Sequence, residues 1–180
     1  MSSSDLIRWG AISFILGGAA RIALSLTFLA LGPRAVTGYF VPAIYILAVL
    51  FLIGGLVGLH TLQKRNYGRI GQAGFYTIIL SFGVQILATV VFLFGSEALE
   101  WLSFPVGLLG AIVGFALYGT ATLRAGVLPR WYGVLLIVLL PVSVALGPFG
   151  NIWNGLVHLV LGYVLWTRRI TATEQPSRVS

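Results

Sequence analysis

The sequence predicts an all-α integral membrane protein, a bundle of six transmembrane helices with the N-terminus and C-terminus both cytoplasmic. Three observations carry that reading. Hydrophobic residues make up 58% of the 180 and charged residues only 8%, with a mean hydropathy of +1.00, far outside the range of water-soluble domains. Six apolar stretches approach the length of about 20 residues that crosses a bilayer, roughly 7–31, 39–62, 70–95, 101–123, 131–147 and 150–167. Basic residues gather in alternate gaps between them.

The first stretch has a basic residue ahead of it and small residues at Gly17–Ala20, as a secretory leader would. Asp5 and the shortness of Ile22–Leu31, which a cut after Ala20 would strand, favour an uncleaved first helix. Pro42 in the second stretch and Pro105 in the fourth lie near helix starts, where proline is easily accommodated, whereas Pro141 is interior and should kink the fifth. The fifth and sixth stretches are short and joined by Gly147-Pro148-Phe149-Gly150, so 131–167 reads as a closely packed helical hairpin. The whole of 1–180 is read as one membrane domain, ending in a short polar cytoplasmic tail at 170–180.

Lipid supplies no hydrophobic force between helices, so association relies on close contact at small residues and on hydrogen bonds. Gly54 and Gly58, Gly110 and Gly114, and Gly155 and Gly162 are the expected packing faces within the chain. Gly58, Thr61, Leu62 and Arg69 recur 61 positions later as Gly119, Thr122, Leu123 and Arg130, a faint sign of parallel duplicated helix pairs.

Orientation follows from the gaps. One side carries Arg8, Lys64, Arg65, Arg69, Arg124 and Arg130, followed by Arg168, Arg169 and Arg178. The other has Arg34, with Glu97 and Glu100. That bias places the richly basic side in the cytoplasm and the protein in a cytoplasmic (inner) membrane. Trp9, Trp131 and Trp166 fall at predicted cytoplasmic ends and Trp101 and Trp153 at outer ends, as an aromatic belt requires.

A formal charge of +7 does not imply nucleic-acid binding here, because the basic residues are confined to short gaps with little solvated surface. The Lys64, Arg65 and Arg69 group sets topology and attracts anionic headgroups. With no cysteine there is no disulfide, thiolate metal site or cysteine nucleophile.

Arg21 is the anomaly. It stands thirteen positions from both Arg8 and Arg34, at the middle of the first span, where a charge costs roughly 2.5–3.5 kcal/mol even on a lenient scale. Snorkelling falls short, since an arginine reaches some 6–7 Å across a half-thickness of about 15 Å. No span contains a carboxylate to pair with it.

Polar residues at helical spacing form a stripe on three helices: Ser13, Gly17, Arg21 and Ser25; Thr77, Ser81, Gln85 and Thr89; and Asn151, Asn154 and His158. Counting from the basic ends places Arg21 and His158 near the midplane and Gln85 slightly beyond it. Thr77, Ser81 and Thr89 need no ligand, because each hydroxyl can return to the carbonyl one turn back. Gln85 cannot be satisfied so simply.

These stripes predict a midplane pocket between helices one, three and six, with Arg21, Gln85, Asn154 and His158 as ligand-binding residues. Arg21 would hold an anion, a lipid phosphate or a ligand carboxylate, and the other three would orient it. His60 lies about 9 Å from the level of His158, which argues against a bis-histidine haem, and a neutral hydrogen-bonded His158 is preferred to an acid–base role. Paired membrane carboxylates, HExxH, GxSxG and a phosphate-binding glycine loop are all missing, so the reading includes no catalytic residue, metal or cofactor.

The functional expectation is a small multi-pass membrane protein that binds or transports a small anionic or amphipathic molecule or lipid. The competing expectation is a structural or assembly subunit whose buried polar groups serve helix packing or partner docking. Expected partners are membrane lipid, the anionic or amphipathic ligand, and a second copy of the chain or a larger membrane complex; nucleic acid is not among them.

Overall fold

Helices dominate because the chain offers little else: apolar side chains on every face, with few polar groups to compete for the backbone. The computed structural model describes residues 3–32, 39–96 and 98–173. The expectations for Arg34, Glu97, Arg178 and the end of the polar tail lie outside the described residues.

Among the described residues there are six helices and no strand. They are α1 (Ser3–Leu31), α2 (Phe40–Gln63), α3 (Gly68–Leu93), α4, α5 (Arg130–Ala145) and α6 (Gly150–Thr173). The fourth begins as Glu100–Leu102, widens into a π-helical stretch at Ser103–Leu109 and continues as Gly110–Ala125. Pro105 stands within the widened part, where its missing N–H interrupts the regular ladder. The sixth helix runs to Thr173, so the first positions of the expected 170–180 tail are helical. Gly126 ends α4 with φ +63°, and Gly147 opens the α5–α6 turn with φ +54°, both left-handed values that suit glycine alone.

Four segments are long and apolar enough to cross a membrane: α1, α2, α3 and Ser103–Ala125. The fifth helix is apolar but has only 16 residues, about 24 Å of rise. The sixth is long, with its hydropathy lowered by Asn151, Asn154 and His158. Large apolar side chains stand exposed on the outer surface: Leu80 is 65% exposed and Leu26 55%. Such a surface is compatible with a membrane protein.

The helices form a closed ring in which each packs against the next and α6 returns to α1. Contact is unequal around it. The first helix is the middle of a tight trio with α2 and α6, and α4 is the middle of a second trio with α3 and α5. Glycine explains the closeness. A Cβ on Gly10 of α1 would lie 2.6 Å from the Cα of Gly58, and one on Gly155 of α6 would lie 2.6 Å from the Gly18 carbonyl oxygen. In the second trio, a Cβ on Gly114 would come within 3.0 Å of the Ile78 nitrogen, and one on Gly119 within 2.6 Å of the Gly133 carbonyl. Gly54 meets Ser13, Gly110 meets Ser81, and Gly162 meets the Ala11 carbonyl.

The seams between the trios are built differently, from hydrogen bonds. Between α5 and α6, Tyr132 donates to the Leu161 carbonyl at 2.8 Å, Trp153 to the Leu139 carbonyl at 3.1 Å, and Asn154 to the Ser143 hydroxyl at 2.7 Å. Two expectations change as a result. The α5–α6 pair is close at its turn, where Gly150 meets the Ser143 backbone, and is linked by side chains beyond it, because Gly155 and Gly162 are spent on α1. Trp153 is partly buried with its indole engaged, whereas the other four tryptophans are exposed. Nor do the 61-residue repeats occupy matching places: Gly58 faces the preceding helix and Gly119 the following one.

Where α2, α3 and α4 meet near the basic turns, Tyr67 bonds the His60 ring, His60 stacks on Phe75 at 4.1 Å, and Thr122 donates to Gln63 at 3.0 Å. Burial, followed by the neighbouring Tyr76, pushes the Tyr67 hydroxyl up to about 12. A raised acid favours its neutral form in the folded state. Its contribution to stability is therefore full below the ordinary tyrosine value and disappears as pH rises toward about 12. Unfolding by denaturant across the alkaline range should show this slope, and Tyr67→Phe should flatten it.

Glycine packing gives a second prediction. Gly58→Leu must push α1 from α2 and should destabilise the fold by about 1–3 kcal/mol or more. A Cβ on Gly83 meets nothing within 4 Å, so Gly83→Ala should be neutral or stabilising by up to about 1 kcal/mol. Reversible unfolding in mixed micelles measures both.

Candidate functional site

The looseness of the seams leaves a cavity of about 430 Å³ inside the ring. All six helices line it, among them Arg21 from α1, Tyr45 from α2, Gln85 from α3, Ser103 from α4, Ser143 from α5 and Asn154 from α6. His158 lines it as well. The four residues singled out as ligand-binding from sequence thus face one space, although few of them bond one another. Of the described residues lining the cavity, Arg21 alone carries a charge and none is acidic.

Arg21 projects inward because its own helix is held on both sides: Gly17 packs against Ala48 and Leu52 of α2, and Gly18 against Gly155 and Leu159 of α6. Only 9% of the residue is exposed. Its Nη1 donates to Asn151 Oδ1 at 3.0 Å, and its guanidinium carbon lies 5.0 Å from the centre of the Tyr45 ring. The Nε is buried with no partner. From the polar stripe on α6 the sequence reading took Asn154 and His158 for the site, and the structure adds Asn151, one turn nearer the start of the helix, as the acceptor for Arg21. The same stripe contained Asn151, so the signal was present.

Gln85 is engaged at both ends of its amide. Tyr45 donates its hydroxyl to Oε1, and Nε2 donates to the Gly107 carbonyl at 2.9 Å. That carbonyl belongs to the π-helical stretch, which accounts for its availability to a neighbouring helix. Thr77, Ser81 and Thr89 each return a hydroxyl to the carbonyl four residues back at 2.8 Å, as expected for such a stripe. Ser25 extends the α1 stripe by donating to the Pro148 carbonyl at 2.7 Å.

Asn154 uses its side chain on Ser143, while its backbone carbonyl lies 2.5 Å from His158 Nδ1. A carbonyl can only accept, so Nδ1 carries the hydrogen and a neutral ring keeps a lone pair at Nε2. That Nε2 is buried and has no partner. Two of the residues that line the cavity, Arg21 and His158, thus each hold one nitrogen that is buried without a partner. Among the described residues no group of three histidines or carboxylates is placed to hold a metal.

The chain matches no family model, no curated protein and no solved structure.

Removing the partner of Arg21 exposes the cost of its burial. Asn151→Leu should destabilise the fold by about 1–3 kcal/mol. In a double-mutant cycle with Arg21→Met, the coupling energy should be at least about 1 kcal/mol, measured by unfolding in mixed micelles. Independent, additive effects would mean that the Arg21–Asn151 bond contributes little.

Proposed function

We propose that the chain crosses a cytoplasmic (inner) membrane six times with both termini in the cytoplasm, and that its midplane cavity binds or transports a small anionic or amphipathic molecule or lipid. The sixth crossing is supported by the direction of its polar groups, since Asn151, Asn154 and His158 all line the cavity rather than the outer surface. Orientation rests on the basic residues around the α2–α3 and α4–α5 turns.

The single observation that carries the functional reading is a cationic donor, Arg21 Nε, buried without a partner beside a 430 Å³ space with no acidic side chain among the described residues that line it. Charge in a low dielectric requires compensation, and the described lining residues supply dipoles but no counter-charge. An anion entering the cavity would complete the guanidinium fork.

The structural reading has its own support. Arg21 bonds Asn151 and lies on Tyr45, linking α1 to two neighbours. The readings diverge on Arg21→Gln. Native mass spectrometry of protein released gently from membranes should show an anionic adduct on the wild type. Arg21→Gln should remain monodisperse and lose that adduct by about ten- to a hundredfold, the worth of a hydrogen bond to a charged group. Arg21→Lys, which keeps the charge but not the fork, should fall between them. An adduct indifferent to Arg21→Gln, or no adduct at all, refutes the proposal; loss of the folded monomer in both variants favours the structural reading.

A further inference from the structure

A second cavity of about 400 Å³ adjoins the first and is lined mainly by Leu24, Phe28, Val41, Pro42, Ala88 and Phe92. These residues lie toward the ends of α1 and α3 and the start of α2, on the far side of the ring from the basic turns. The two cavities share four lining residues, Tyr45, Thr89, Ser103 and Asn151. They are consecutive chambers with a common collar. Tyr45 and Asn151 of that collar are the residues that hold Arg21, one by its ring and the other by its amide oxygen.

Two residues that line the polar chamber, Arg21 and His158, each keep a buried nitrogen without a partner, and these two nitrogens specify a head. Arg21 Nε needs an acceptor, which any anionic oxygen supplies. His158 Nε2, with Nδ1 already donating, needs a donor. An ionised carboxylate offers acceptors only. A phosphate monoester has a second ionisation near pH 6, and facing a single positive charge in a low dielectric it is favoured as the monoanion, which carries both a charged oxygen and a P–OH. The apolar chamber specifies the rest: an aliphatic segment long enough to pass the collar.

We infer that the two cavities form one bipartite site for a single-chain phosphate monoester amphiphile. Its head lies against Arg21 and His158, whose side chains turn to bring the buried Nε and Nε2 to it, and its tail passes Tyr45 and Asn151 into the chamber lined by Leu24, Phe28 and Ala88. This assignment rests on the anion-binding reading of the first cavity and adds the class of ligand.

The test titrates protein in lipid nanodiscs with inorganic phosphate, ethyl phosphate, dodecyl phosphate, dodecanoate and dodecanol, counting bound adducts by native mass spectrometry. Dodecyl phosphate should bind about a hundredfold more tightly than ethyl phosphate, less than the roughly fourfold per methylene of full burial because surrounding lipid competes for the tail. It should exceed dodecanoate by about tenfold, and dodecanol should not be retained. His158→Phe should erase the preference for phosphate over carboxylate. Ala88→Phe, or Val41→Phe if the first does not fold, should shrink the ratio of dodecyl to ethyl phosphate affinity.

Equal binding of the ethyl and dodecyl esters, each lost in Arg21→Gln, overturns the bipartite site while leaving an anion site in place. A ratio unaffected by both chamber-filling variants overturns it likewise. Tight binding of inorganic phosphate alone identifies a free anion as the ligand and also overturns it. Binding of none of the anions removes the reading on which it rests.

Discussion

The burial of one unpaired positive charge is the constraint around which the rest of the ring is arranged. Arg21 is buried and finds no carboxylate among the described residues lining its cavity. What the protein supplies is a set of oriented dipoles: the Asn151 amide, the face of Tyr45, and behind them Gln85 and Asn154, each held by a further hydrogen bond. Every member of that set comes from a helix that must stand at the correct height. The glycine contacts of α1 with both neighbours serve this purpose, since they leave the helix little freedom to slide or rotate. Packing at Gly17 and Gly18 and electrostatics at Arg21 are thus one problem solved on adjacent faces of one helix.

The cavity follows from how the trios meet. Inside each trio, glycine lets backbones touch, and close-packed surfaces leave no room for a ligand. Between trios, the links are hydrogen bonds from tyrosine, tryptophan and asparagine, which reach across a gap without closing it. The middle helices of the two trios, α1 and α4, are three positions apart in a ring whose consecutive members reverse direction. These two run in opposite directions, whereas α2 and α4, which carry the 61-residue repeat, run in the same one.

Much of this was legible in the chain, for identifiable reasons. Helix existence and approximate ends follow from apolar length, and lipid-like outer surfaces leave few alternatives. The convergence of Arg21, Gln85, Asn154 and His158 on one cavity follows from spacing and depth, both of which a regular helix preserves. Pairing within the site was not legible. Three positions, about one turn, separate Asn151 from Asn154, and which of them meets Arg21 is decided by where Gly155 meets Gly18, a tertiary fact. Tyr45 was invisible because an aromatic residue in an apolar helix carries no polar periodicity. The widened turn at Ser103–Leu109 was signalled by Pro105, but proline near a helix start is ordinarily accommodated without it.

The same geometry bears on why an arginine would be kept in such a place. A tether between helices gains most when all its donors are filled, and hydrophobic replacement of a buried ionic group is often neutral or stabilising. Neutral packing of that kind is already abundant here, in the core that includes Phe14, Leu52, Leu56 and Leu161. Arg21 instead leaves Nε unfilled and is braced by two residues that also border the apolar chamber. His158 repeats the pattern on the opposite sign, with its donor spent on its own helix and its acceptor held in reserve. Two buried groups, each satisfied on the side facing protein and unsatisfied elsewhere, are costly as architecture. As complementary halves of a binding site, their cost is recovered when a charged oxygen and a hydroxyl arrive together.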